Sequence, residues 1–160
     1  MNWTTKYNNG FSLIEVILGV SIITIIGIFV GLSVTQFSST RNTILSETKK
    51  IYLAEEGYEI IRLLRDETWT NISSLSLDTT YFLDISTTTL AISGTPEIIN
   101  NDYTRSFSLQ YAYRDGSNDI VASSTPGATA DVDMRKVFIY VSDGKSTTTY
   151  KALLANLPTP

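Results

Sequence analysis

The chain has 160 residues, with 12 basic and 16 acidic side chains and neither cysteine nor histidine, a size that fits one ordinary domain. Without thiols there is no disulfide framework and no thiolate metal site, and without thiols or imidazoles the commonest catalytic triads are excluded. A net charge of −4 opposes non-specific attachment to nucleic-acid phosphates. No nucleophile elbow and no glycine-rich Lys-Ser/Thr phosphate loop occurs, so no enzyme, no cofactor, no metal and no specific nucleic-acid partner is expected.

Residues Met1 to Gly10 are polar, with Lys6 their only charged side chain, too polar to begin a membrane span. The run Gly10-Phe11-Ser12-Leu13-Ile14-Glu15-Val16 follows and continues apolar to Val34. Residues 11–34 as a helix extend about 36 Å, enough to cross a hydrocarbon core of about 30 Å. Glu15 interrupts this run. An ionised side chain within a membrane helix costs roughly 2.5–3.5 kcal/mol even on the lenient insertion scale, so such an acid is read as functional with a partner to be named. Gly27-x-x-x-Gly31 places small residues where helices approach closely. Lys6 and the N-terminal amine favour keeping this end in the cytoplasm, with everything after the span outside.

The Gly10-Phe11 junction with Glu15 beyond it resembles the signal of type IV pilins and pseudopilins. The resemblance implies that a prepilin peptidase removes residues 1–10 as a leader after Gly10 and methylates the new amine of Phe11. It implies a transmembrane and filament-core helix over residues 11–34. Glu15 would then pair with the Phe11 amine of an adjacent subunit, registering the helices, and Gly27 and Gly31 would pack against neighbours. The implied partners are other pilin or pseudopilin subunits, the peptidase, the membrane and the inner-membrane assembly platform. The implied location is the inner membrane, with the head outside the cytoplasm, and then a filament at the surface or in the envelope. The absent disulfide, the short stretch between helix and strands and a head without obvious glycosylation tracts bring the resemblance nearest to minor pilins. A minor pseudopilin of a type II secretion system is the alternative. From another class, a single-span anchored binding protein that never polymerises is a third reading.

Past Val34 the composition turns polar while Phe37, Ile44, Ile51 and Tyr58 recur at intervals of seven, with Ala54 and Ile61 between them. This predicts an amphipathic continuation over residues 35–66, its stripe facing a core, and one helix from near Phe11 to near Asp66 of about 84 Å. Residues 67–160 change period and predict an antiparallel β head, giving an α+β, pilin-like fold. Thr79 to Ile85 and Thr88 to Ile92 read as short strands, and Ser93-Gly94-Thr95-Pro96 as a turn. Tyr103 to Tyr113 alternates, with Phe107, Leu109, Tyr111 and Tyr113 on one face and Ser106, Ser108, Gln110 and Ala112 on the other. Ser123 to Asp133 reads as a polar loop. Lys136 to Val141 and Thr147 to Leu154 form a hairpin about Asp143-Gly144, a pair suited to a type I′ turn. That turn sets Ser142 opposite Lys145, and Lys136 opposite Lys151. The acids Asp115, Asp119, Asp131 and Asp133, with Asn118, do not follow the EF-hand spacing and read as turn residues. Tyrosines 81, 103, 111, 113, 140 and 150 read as strand packing in preference to an adhesive face.

Overall fold

The computed structural model describes residues 10, 12–86 and 89–157. The expectations placed on residues 1–9 and on Phe11 lie outside the described residues. Helix α1, Leu13–Glu67, is one continuous element, as the absence of proline from that stretch allows. A short helix α2, Thr70–Ser73, follows. Between them Asn71 Nδ2 donates to the Leu64 carbonyl at 3.0 Å, satisfying one of the acceptors orphaned at a helix C-terminus. The chain divides into two units, one ending at Ile44 and the other beginning at Leu45. The first contains the apolar part of α1. The second contains the remainder of α1, α2 and all the strands.

Within the second unit, β1 (Phe82–Ser86) and β2 (Thr89–Ser93) form a separate antiparallel hairpin. A five-stranded antiparallel sheet contains β3 (Glu97–Ile99), β4 (Tyr103–Arg114), β5 (Ile120–Val121), β6 (Thr129–Ser142) and β7 (Thr147–Ala155). Its order is β3-β4-β6-β7, with β5 on the end of β4. Asn100 and Asn101, at φ 52° and 61°, make the β3–β4 turn, the left-handed pair that a type I′ hairpin requires. Tyr81 exchanges both backbone hydrogen bonds with Phe107, at 2.9 and 2.8 Å, and so fastens the β1–β2 hairpin to β4. Ala54, Ile60, Ile61 and Leu64 of α1 join Phe107, Leu109, Val137, Ile139, Val141 and Leu154 in one core. Neither an amphipathic helix nor a one-faced sheet buries its apolar side alone, and here each covers the other.

Four expectations need correction. The predicted stripe on α1 is buried only in part: Ala54 and Ile61 are in the core and Tyr58 packs against it, but Phe37 is 74% and Ile51 46% exposed. The buried seam has the same sevenfold spacing shifted back by one residue, at Lys50, Gly57 and Leu64, with Ala54 and Ile61 between. One residue is about 100° round the helix, and a count of apolar positions misses a seam occupied by a lysine and a glycine. In β4 the expected alternation fails at Ala112, which is buried. The register shifts there, so that Tyr111 lies opposite Arg135 and Ala112 opposite Asp131. The extra residues of β6 bulge out and turn the following pairs over. Third, the expected loop Ser123 to Asp133 is strand from Thr129 onward.

The fourth correction concerns the β6–β7 register. Ser142 lies opposite Thr147 and Lys136 opposite Leu153, a slide of two residues from the expected pairing. The tip is Gly144-Lys145 instead of Asp143-Gly144. Gly144 has φ 78°, and a type II′ turn asks for glycine at this first central position. Asp143 Oδ1 accepts the N–H groups of Lys145 and Ser146 at 2.9 and 2.8 Å, a local side-chain bond of the kind that fixes turns.

Candidate functional site

Ser12 precedes α1, and its carbonyl accepts the Glu15 and Val16 N–H groups at 3.0 and 3.2 Å. Glu15 therefore lies in the first turn of the helix, on an exposed face. Among the described residues it has no ion-pair partner. The hydroxyls of the same stretch behave differently. Ser21, Thr24 and Ser33 each donate to the carbonyl four residues back at 2.8 Å, so they satisfy themselves within the helix as a lipid environment demands. Glu15 is the exception, a carboxylate without an ion pair among the described residues. Nothing lies within 4 Å of a Cβ added to Gly27 or Gly31, which leaves that face of the helix open. Among the described residues α1 is long and apolar enough to cross a membrane, and none of its most apolar stretch is buried in the protein.

Three buried cations in the second unit were not singled out from the sequence. Arg105 is 1% exposed and bridges three elements. Its Nε and Nη2 donate to Glu97 at 2.9 and 2.7 Å, and its Nη1 to the Leu53 carbonyl at 2.7 Å and to Glu56 at 3.0 Å. This bidentate fork fastens β3 and β4 to α1. Gly57 makes the approach possible, since a Cβ there would meet Arg105 Cδ at 2.8 Å. Gly57→Ala is therefore expected to lower stability by about 1–3 kcal/mol despite the better helix propensity of alanine, because the side chain must move off its bonds. Thermal unfolding of the two proteins checks this. Strand parity already placed Arg105 on the face of Phe107 and Leu109, and a glycine within a run of helix formers was the second available signal.

Lys50 is 0% exposed. It contacts Glu47 at 2.7 Å and Asp143 at 3.6 Å and donates to Ser146 Oγ. Ser46 Oγ donates to Asp143 at 2.8 Å and Thr148 Oγ1 to Glu47 at 2.7 Å. Burial pushes the Lys50 ammonium down, but the Glu47 bond and the two carboxylate charges outweigh it and leave it raised. The Lys50 bond, then that from Thr148, lowers Glu47. The Ser146 N–H, then Ser46 and the Lys145 N–H, lower Asp143 well below the usual carboxylate range. Depressed carboxylates contribute stability that is full above their unfolded value, about pH 4, and is lost as pH falls through the folded value. The raised lysine contributes stability that is full below its unfolded value and is lost only as pH rises through the folded one. The cluster should thus hold from mildly acid to alkaline pH and weaken below about pH 4. Asp143→Asn is expected to be less stable at pH 7 and to lose less of its remaining stability between pH 5 and pH 2, as denaturant titrations at each pH will show.

Arg135 is 5% exposed, with its guanidinium 4.6 Å from the Tyr111 ring centroid and 5.6 Å from that of Trp69. Nη1 donates to the Val132 and Met134 carbonyls at 2.9 and 3.1 Å, while Nε is buried without a partner among the described residues. Asp115 Oδ1 accepts the Ser117 and Asp119 N–H groups at 2.9 and 3.0 Å, as the turn reading of that acidic loop expects. Asp131 pairs with Arg114 at 2.6 Å, and that bond lowers its pKa. Tyr81 packs on Phe107 and Tyr150 on Tyr58, with centroids 5.7 and 5.8 Å apart.

Residues 5–31 match the family described as the prokaryotic N-terminal methylation motif, the signal carried by type IV pilins and pseudopilins. The match covers the Gly10-Phe11 junction, Glu15, Gly27 and Gly31. One long N-terminal helix packed on antiparallel sheets is a pilin-like arrangement. Motif and apolar helix together support a membrane-anchored pilin or pseudopilin, which points to a structural subunit that assembles with its like. No curated protein and no solved structure matches the chain.

Proposed function

We propose, taking the prepilin-type signal at residues 5–31 as the premise, that the chain is a minor pilin of a type IV pilus. Prepilin peptidase removes residues 1–10 and methylates the amine of Phe11. Residues 11–34 then anchor the protein in the inner membrane with the head outside the cytoplasm, and the platform moves it into a filament. Residues 35–66 continue the helix into the head of residues 67–160. In the filament Glu15 meets the Phe11 amine of a neighbouring copy, and Gly27 and Gly31 allow close approach of another helix. The attraction selects axial register more than it adds stability, because both charges lose solvent to make it.

The observation that carries this reading is the methylation motif lying on a helix whose N-terminal apolar stretch is exposed and whose Glu15, the one carboxylate of that stretch, has no ion-pair partner among the described residues. Fractionation tests it. The chain is expected in filaments sheared from the cell surface, in small amounts beside a more abundant pilin. Retention in the envelope with loss of enzyme secretion would instead assign it to a type II secretion filament. Recovery only as a membrane-bound monomer would contradict polymerisation.

A further inference from the structure

The six basic side chains of residues 67–160 divide by type. The three arginines are engaged within the fold: Arg105 pairs with Glu97 and Glu56, Arg114 pairs with Asp131, and Arg135 lies against the Tyr111 and Trp69 rings. The three lysines, Lys136, Lys145 and Lys151, have no ion pair among the described residues. All three belong to the β6–β7 hairpin. Successive strand residues alternate between faces, and the buried positions of β6 are Arg135, Val137, Ile139 and Val141. Lys136 therefore points away from the core, as does Lys151, whose neighbours Tyr150 and Ala152 face inward. Lys145 stands exposed at the tip.

The outward side of β4, β6 and β7 carries no carboxylate between the pairs Thr104↔Ser142 and Gln110↔Lys136, although the chain has a net charge of −4. Phe138 and Tyr140 occupy its middle, half-buried and about 7 Å apart along β6. Phe138 is flanked by Ser108 on β4 and by Lys151 on β7, whose Nζ is 5.7 Å from the ring centroid. Tyr140 Oη lies 3.4 Å from Ser108 Oγ. Lys136 is a diagonal neighbour of Lys151 at about 7–8 Å, and Lys145 is about 20 Å from Lys151 along the hairpin. Unpaired cations thus stand at both ends of a strip of aromatic rings and hydroxyls, and α1 packs on the other side of the sheet.

We infer that this face binds an acidic polysaccharide, one bearing uronate carboxylates, lying along β6. Pyranose rings offer C–H faces that pack on aromatic rings, and their hydroxyls donate to and accept from side-chain hydroxyls such as Ser108 and Thr149, the latter opposite Tyr140. The uronate carboxylates pair with the lysines. A nucleic acid also stacks on aromatic rings, but its affinity comes from many neutralised phosphates, and three lysines on an acidic chain neutralise few. An acidic peptide brings carboxylates without the sugar hydroxyls. This binding depends on the head alone and is independent of leader removal and of assembly.

The test uses the full-length protein in a zwitterionic detergent free of sugar, at about 0.15 M salt so that weak non-specific attraction is screened. Fluorescence anisotropy of labelled oligogalacturonate reads the binding, with labelled dextran, oligothymidylate and polyglutamate as comparison probes. Oligogalacturonate is expected to bind, and each of the others at least about tenfold more weakly. K136Q/K151Q is expected to weaken its binding about tenfold, as the loss of two exposed ion pairs would, and F138A about threefold or more through loss of the ring. Should F138A lack a cooperative thermal transition, F138L retains apolar bulk and bears the same test. Failure of oligogalacturonate to bind overturns the inference, as does binding unchanged in K136Q/K151Q or in the folded Phe138 variant. Equal binding of any comparison probe overturns it as well, since the face would then recognise sugar alone or charge alone.

Discussion

Glu15→Val is expected to leave leader removal intact and to deplete the chain from filaments by roughly two orders of magnitude, while the processed protein accumulates in the membrane. The magnitude follows from the cost of the charge. An ionised acid in the span is disfavoured by roughly 2.5–3.5 kcal/mol, and every 1.4 kcal/mol is about tenfold in an equilibrium. Valine removes that penalty from the membrane-resident state and removes the register partner from the assembled state, so both effects push the same way. A second explanation for the acid is local. Ser12-Leu13-Ile14-Glu15 has the pattern of a capping box, and an acid in the first turn of α1 complements the helix dipole. Glu15→Gln separates the two, because glutamine preserves the box but cannot pair with an amine as an anion. Loss of incorporation in Glu15→Gln, measured as sheared-filament content at equal membrane content, supports pairing between subunits. Natural incorporation supports capping alone.

The second large effect is in the head. Arg105→Ala should destabilise the second unit by about 3–5 kcal/mol, since it strands a half of an ion pair that was built to be buried. The stranded group is Glu97, 13% exposed at its side chain, and the Leu53 carbonyl loses its donor as well. Against a total stability of about 5–15 kcal/mol for a domain, this is a large fraction. Arg105→Lys should recover little of it, because an ammonium cannot present the fork that Glu97 accepts. Chemical denaturation of the three proteins measures the differences. Combining Arg105→Ala with Gly57→Ala should cost less than the sum of the two, since the alanine methyl then occupies space the arginine has vacated. Additivity would mean that the glycine is not there for the arginine.

The helix was legible because its information is local and redundant. A long apolar run, no proline and a continuing helical period leave few alternatives, and α1 occupies Leu13–Glu67 against an expectation of residues 11–66. Five of the seven strands of the head were legible from alternation and turn residues, whereas the short β3, Glu97–Ile99, and β5, Ile120–Val121, were not. What escaped was the partner of each face. Ile51 reads as core and Lys50 as solvent in any apolar count, yet the sheet sits over Lys50, whose charge is met by Glu47 and Asp143 from separate elements. Long-range compensation of that kind leaves no mark in a window of sequence. The β6–β7 register escaped for a different reason. Asp143 was read as a turn former through its backbone, whereas its carboxylate is the group that fixes the tip. At the N-terminal site the junction and the acid were plain in the sequence, since chemical processing is directed by consecutive residues and not by folding.

If Glu15 registers the helices through a neighbour's Phe11 amine, this helix enters a filament only after its leader is gone. Mass spectrometry of the N-terminal peptide, on protein isolated from cells with an active prepilin peptidase, tests it most directly. The expected chain begins at Phe11 and carries one added methyl group on its amine. A chain still beginning at Met1 would contradict it, because the amine that Glu15 is proposed to meet would not exist.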